Sequence, residues 1–413
     1  MGYSYAADAS AQNMSKIGME QVIAHGLATM PTLIQVQFSA QPCTVFDSKC
    51  TYFSVDSFTN QTGSDFYPGN PLNTSFQLTN DALSFETMVV TSQPVPSRPL
   101  FRTFDAYNQQ ATIYWEGFWN IQFTNATPTV TSDWVLDNVQ TTHDTLLLTN
   151  QTLYPLFFQK QILPFIGIWF SQNPIVPSVV YPVLGSNLAN PRSIRISNGN
   201  LYVQVDSSDF LFRTPDAGGL TEGYWQAVML SPPSQVIQDG TLYCDSFWTF
   251  CNHCHYMVSS HNIGSTPDIV QVFFSPTNNT DESTNEIWPF MYWYKDQPAA
   301  GPQTVQVNSD EITVHFLPGG QPIISTYNRG WTTYYSGFFR IIALKKMYLF
   351  NQYFLQNFNL NIFSCQFLFG NNEKHNIAIL NNIFQSFNIK SLLSPIASDE
   401  KKIFCLETFT CSV

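Results

Sequence analysis

The densest set of chemically capable side chains in this sequence is Cys251-Asn252-His253-Cys254-His255. A Cys-x-x-Cys pair beside imidazoles can offer thiolate and nitrogen ligands to zinc at about 2.0–2.3 Å. The run is only half of such a site, because no second ligand pair stands at conventional spacing, although Cys244 and His261 lie near in sequence. Sulfur pairing outweighs coordination here, and neither metal nor cofactor is expected. His143-Asp144 stands alone in a Thr-rich stretch, Asp281-Glu282 and Asp310-Glu311 sit at predicted turns where solvation accounts for them, and no Gly-x-Ser-x-Gly elbow is present. A methyltransferase using S-adenosylmethionine would carry a glycine-rich loop after a strand and an acidic residue for the ribose, and neither occurs. The expectation is a protein that is not an enzyme.

Aromatic side chains are the alternative source of chemistry. Sugar rings stack on Trp, Tyr or Phe while nearby amides and carboxylates fix their hydroxyls. The densest clusters are Tyr114-Trp115 and the run from Trp288 through Tyr292, Trp293 and Tyr294, with Trp169 and Trp225 as further candidates. Strand alternation turns only half of each run outward, so core packing competes for these rings.

Eight cysteines are present, and two pairs share the same six-residue gap: Cys43 with Cys50, and Cys244 with Cys251. Both read as small loop disulfides. Cys254 is then left over and pairs instead with Cys244 or with a cysteine near the C-terminus, or stays a thiol. Acceptor sequons stand at Asn13, Asn60, Asn73, Asn125, Asn150 and Asn278, marking surface loops if the chain is secreted.

The net charge of −12, with no compensating Lys/Arg cluster, repels phosphate backbones and argues against nucleic acid. Only 11% of residues are charged against 15% aromatic, so Ser, Thr, Asn and Gln must supply the polar surface, as in many secreted β-proteins. No run of eighteen apolar residues is long enough to span a bilayer, and the N-terminus shows neither the basic region nor the apolar core of a signal peptide. Gly2 is not set up for myristoylation, since Ala6 stands where Ser or Thr is needed.

The elements that must position these side chains come in three copies. Each opens on a proline and an apolar stretch ending in Phe-Ser: Pro31 to Ser39, Pro164 to Ser171, Pro267 to Ser275. Each continues with a ten-residue element, Phe76 to Phe85, Ile194 to Val203 or Val305 to Val314, in which two alternating runs flank a polar turn. Asn198-Gly199 in the second predicts a tight hairpin, because both residues accept positive φ. Each closes on glycine and two aromatics, Gly117-Phe118-Trp119, Gly223-Tyr224-Trp225 and Gly337-Phe338-Phe339. That glycine lets a strand start against another backbone, with no Cβ in the way.

At 413 residues the chain exceeds the roughly 250–300 residues one core supports, which agrees with several domains. The fold class is all-β: three tandem antiparallel β-sandwich modules at 31–163, 164–266 and 267–345. Segments of about forty residues follow each copy and complete the sheets of the domain before them. Residues 1–30 read as a polar leader with a short helix around Lys16 to Leu27 and no later counterpart. The tail, 346–413, is rich in Phe, Asn and Ile and has the bias of translated AT-rich noncoding sequence, the expectation being a gene-model artefact, with an amphipathic, partly helical extension as the rival reading.

The second copy carries a family likeness. Its Pro164–Ser171 strand, then Tyr181-Pro182-Val183-Leu184-Gly185, then Asn190-Pro191-Arg192-Ser193-Ile194-Arg195, and finally Gly223-Tyr224-Trp225-Gln226-Ala227, resemble the farnesoic acid O-methyltransferase-like domain. Pro182 replaces the family's usual acidic residue, and the other copies lack the Ser-Ile-Arg signature. The resemblance implies an antiparallel β-sandwich module repeated in invertebrate extracellular proteins, with binding or adhesion rather than methyl transfer as its role. The expectation is an extracellular protein that binds a glycan, small ligand or protein partner. The alternative is a structural assembly protein with no soluble ligand.

Overall fold

The computed structural model describes residues 9–13, 20–24, 30–41, 50–54, 74–79, 87–92, 101–105, 107–108, 110–114, 117–124, 126–139, 141–174, 179–183, 191, 193–206, 210–214, 218–232, 241–278, 286–289, 302–316, 322–328 and 330–346. The tail from 347 onward lies outside the described residues.

The described chain is β-rich, with one short helix. The first copy contributes β1 (Ala9–Asn13), β2 (Glu20–Ala24), β3 (Leu33–Ser39), β4 (Tyr52–Ser54), β5 (Thr74–Thr79), β6 (Thr87–Ser92), β7 (Phe101–Asp105), β8 (Gln110–Tyr114) and β9 (Phe118–Thr124). The second contributes β10 (Val130–Thr131), β11 (Val135–Asn138), β12 (His143–Leu148), helix α1 (Asn150–Leu156), β13 (Phe165–Ser171), β14 (Val179–Pro182), β15 (Ser193–Ser197), β16 (Asn200–Val205), β17 (Phe212–Thr214), β18 (Gly218–Leu220) and β19 (Glu222–Leu230). The third contributes β20 (Thr241–Asp245), β21 (Thr249–Asn252), β22 (Tyr256–Ser260), β23 (Ile269–Ser275), β24 (Glu286–Pro289), β25 (Pro302–Val307), β26 (Glu311–Phe316), β27 (Ile324–Tyr327), β28 (Trp331–Tyr334) and β29 (Ser336–Lys346).

Within every copy the pairing scheme is the same, and all of it is antiparallel. The Phe-Ser strand pairs with the strand after the glycine (β3 with β9, β13 with β19, β23 with β29). The ten-residue element forms a hairpin in the second and third copies (β15 with β16, β25 with β26), whereas in the first β5 pairs with β6 at Thr87–Ser92, beyond Phe85, and the expected turn at Asn80-Asp81 lies outside the described residues. In the second copy Asn198 and Gly199 both take positive φ, +48° and +72°, as the Asn-Gly turn requires.

The copies do not form separate sheets. The short strand after each Phe-Ser strand pairs with the hairpin of a different copy: β14 of the second with β5 of the first, β24 of the third with β15 of the second, and β4 of the first with β25 of the third. The exchange closes a cycle, so each of the three large sheets is assembled from two copies. The expected side-by-side modules are therefore not seen as separate sheets, since every large sheet is shared by two copies.

Two further readings change with this topology. The connecting segments complete the copy that follows them: β11 pairs with β19 and β12 with β16, while β21 pairs with β29 and β22 with β26. Residues 1–30 have counterparts as well. Glu20–Ala24, placed in a helix by the sequence reading, is strand β2 paired with β6, and β1 pairs with β9, in the places β12 and β11 take in the second copy.

Burial explains why alternation alone could not show this. All seven residues of β3 and of β23 are buried, so the faces that carry Gln35, Gln37 and Ser39, or Gln271 and Ser275, read as solvent-facing by alternation and are covered all the same. Side-chain amides fill the gaps between copies. Gln271 donates Nε2–H to Ile166 O (2.7 Å) and accepts from Ile166 N (2.9 Å), and Gln35, its equivalent in the first copy, accepts from Val270 N at 3.4 Å. The third equivalent is Gly167, where an added Cβ would lie 2.8 Å from Leu33 Cδ2. The repeated glycines do what their position suggested: a Cβ on Gly117, Gly223 or Gly337 would lie 2.2–2.3 Å from the ring of Phe38, Phe170 or Phe274 and 3.0–3.1 Å from the next serine carbonyl.

Candidate functional site

The third copy reaches its hairpin by a segment that leaves one large sheet and joins another. Thr249–Asn252 pairs with β29, and Tyr256–Ser260 pairs with β26. Between the two pairings the chain turns a corner that Cys251 and Cys254 close with a disulfide, their Cα atoms 5.7 Å apart. Cys251 therefore bonds Cys254 and not Cys244. Register explains the difference: Cys244 lies opposite Ala343 and Cys251 opposite Gly337, six residues further along β29 or about 20 Å, far beyond disulfide reach. With their sulfurs joined, these two cysteines are not zinc ligands, and among the described residues no group of three or more His, Cys, Asp or Glu is placed to hold a metal. Cys50 is also disulfide-bonded, while Cys43, its expected partner, lies outside the described residues.

Around this corner runs a ridge of exposed rings. Phe250 packs on Phe338 with centroids 5.0 Å apart, and His253 lies 5.4 Å from Tyr335. Phe247 and His253 both take positive φ, +56° and +50°, which side chains rarely adopt, and each is held there by a backbone N–H bond. Phe247 N–H donates to Asp245 Oδ1 at 3.0 Å and His253 N–H to Tyr335 O at 2.9 Å. The base is rigid, because Arg340 grips Asp245 through Nε (2.8 Å) and Nη2 (2.6 Å).

At the far end of the ridge the β7–β8 hairpin of the first copy lands on the third. Tyr107 at its tip stacks on Tyr256, centroids 3.9 Å apart and planes 32° apart, while the rings stay 53% and 41% exposed. Beneath them His315 meets Tyr107 edge-on at 6.0 Å and contacts Gln306 Oε1 through Nε2 at 3.3 Å. Burial pushes the His315 pKa down, so it sits there as neutral imidazole. Asp105 accepts from Tyr107 N (2.9 Å) and Asn108 Nδ2 (2.7 Å). Burial raises its pKa, but these hydrogen bonds outweigh that and leave it below the ordinary carboxylate value. Two exposed phenol rings, an ionised carboxylate and a primary amide thus share one surface.

The aromatic candidates from the sequence lie elsewhere. Trp169, Trp225 and Trp288 are buried, with no face open to a ligand at the surface. Trp225 donates its indole N–H to Asp137 Oδ2 at 3.0 Å, and Trp288 packs 6.2 Å from Phe274. Tyr114 is half-buried against Phe38 at 5.2 Å. Trp115, Tyr292, Trp293 and Tyr294 lie outside the described residues.

His143 and Asp144 part company: His143 Nε2 bonds Asp137 Oδ1 (2.7 Å) and its Nδ1 faces Thr141 O (2.6 Å), whereas Asp144 accepts from Arg195 Nη2 at 3.0 Å. Both imidazole nitrogens are engaged with acceptors, so this histidine is not arranged as a general base. Of the sequons, Asn278 is exposed, and Asn150 opens α1 with its Oδ1 buried against Gly199. Asn60, Asn73 and Asn125 lie outside the described residues.

His25-Gly26-Leu27-Ala28-Thr29-Met30-Pro31 matches His261-Asn262-Ile263-Gly264-Ser265-Thr266-Pro267 in spacing, directly before the Phe-Ser strand. His261 is buried, with Nε2 on Asn308 O (3.0 Å) and Nδ1 accepting from Ile263 N (3.2 Å). In the second copy α1 and its flanks replace this connection. Among the described residues no helix is long and apolar enough to cross a membrane. Compared with protein-family models, curated proteins and solved structures, the chain matches none.

Proposed function

We propose that this chain is an extracellular, non-enzymatic binding protein that recognises a glycan through Tyr107 and Tyr256. The observation that carries the reading is that these two rings remain exposed although they stack across the junction of two copies. Exposed stacked phenols offer flat apolar faces to the C–H side of a sugar ring, and Asp105 and Asn108 stand beside them to meet hydroxyls. The rigid corner behind them limits the ordering cost of binding. The resemblance of the second copy to an extracellular binding module, and a surface poor in charge, point the same way.

The test is a glycan microarray probed with the full chain secreted behind an added signal peptide, beside Tyr107→Ala and Tyr256→Ala. Binding by the parent that falls at least about tenfold in either variant supports the reading, a loss of about 1.4 kcal/mol. Equal binding by all three would refute it.

A further inference from the structure

The disulfide corner joins two strand pairings in different large sheets, and its two sulfurs are unequal in access. Cys251 is 1% exposed within β21, opposite Gly337, whereas Cys254 is half-buried on the bend between exposed His253 and His255. Inside the four-residue ring His253 sits at φ +50°, where a non-glycine residue stays only under constraint. Besides the disulfide, the backbone bonds that hold the corner are His253 N–H to Tyr335 O (2.9 Å) and Phe316 N–H to His255 O (2.8 Å).

We propose that Cys251–Cys254 is a thiol-exchange site whose opening by an external dithiol loosens the ridge from Asn252 to Tyr256. The attacking thiolate reaches the accessible Cys254 sulfur, the S–S bond breaks, and Cys251 leaves as thiolate and takes up a proton. The reductant's second thiol then attacks the mixed disulfide and frees Cys254 as a thiol. Two electrons and two protons pass to the protein, and the dithiol leaves oxidised to its own disulfide. With the ring open, His253 is released to ordinary negative φ and gives up its bond to Tyr335. Tyr256 stands two residues after Cys254, so the glycan-binding surface shares this control, although the exchange itself does not depend on what the ridge binds.

The experiment is hydrogen exchange and thiol labelling of the full chain in native buffer, with and without dithiothreitol, beside the double variant Cys251→Ser, Cys254→Ser. Reduction without denaturant should expose thiols mapped by peptide to Cys251 and Cys254, scored apart from any released at the disulfide of Cys50, and speed amide exchange across 252–256 at least about tenfold while β29 stays unchanged. The double variant should show the fast exchange at 252–256 from the outset, with no further change there on adding reductant. A disulfide that opens only in denaturant, or exchange at 252–256 that is the same before and after reduction, would overturn the proposal. Because neither readout involves a glycan, its failure is separate from failure of the binding function.

Discussion

Gln271 plugs the backbone of Ile166 across the boundary between the third and second copies, donating at 2.7 Å and accepting at 2.9 Å. Both residues are buried, so removing the amide strands an N–H and a carbonyl away from water. Gln271→Ala should cost about 1–3 kcal/mol, read as a lower midpoint in urea. Because the copies exchange strands in a cycle, the variant and the parent should each unfold in a single transition coincident by fluorescence and circular dichroism. Separate transitions would mean that the copies fold independently.

The repeated glycines make a second prediction. Gly223→Ala places a methyl 2.2 Å from the Phe170 ring and 3.1 Å from Ser171 O, and the strand pair of β13 and β19 leaves little room to yield. The expected loss is about 1–3 kcal/mol. Gly330 has no atom within 4 Å of the added carbon, so Gly330→Ala should stay within about 0.5 kcal/mol of the parent.

Stability should depend on pH from both sides. Burial lowers His261 and His315 below the ordinary value of 6.5, so as pH falls below that value the unfolded chain takes up protons that the folded chain refuses, and stability declines. His143 runs the other way. Burial alone would lower it, but the Thr141 carbonyl and the Asp137 carboxylate outweigh burial and raise it. Its contribution is fully present below pH 6.5 and is lost as pH rises through the raised folded value. In urea titrations across pH, His315→Gln should flatten the acid slope and His143→Gln the alkaline one. Unchanged slopes would contradict these assignments.

The sequons separate in the same manner. Asn150 has Oδ1 packed against Gly199 at the start of α1, and Asn278 faces solvent. A glycan at Asn150 would block docking of that helix, so secreted folded protein should carry sugar at Asn278 and none at Asn150, as peptide mass analysis would show.

Much of the local structure was legible in the sequence: the Phe-Ser strands, the ten-residue hairpins of the second and third copies, and the glycine that lets β9, β19 and β29 approach Phe38, Phe170 and Phe274. What escaped was the choice of partner. β4, β14 and β24 are three- or four-residue strands, and nothing in Tyr52–Ser54 encodes pairing with Val307 more than 250 residues away. The burial of the aromatic candidates has a related cause. Trp169 and Trp225 are large rings on central strands, where both faces are covered, whereas Tyr107 and Tyr256 are inconspicuous in sequence and meet only because a hairpin tip of one copy lands on another. The cysteine pairing followed spacing, while register along β29 decides it.

The most direct test of the binding account is the hydrogen-exchange footprint of the full chain with a glycan retained on the array. Protection concentrated at Asp105, Tyr107, Asn108 and Tyr256, and absent in Tyr256→Ala, is the predicted result. Protection confined to another surface, or no glycan retained by the folded protein, would contradict it.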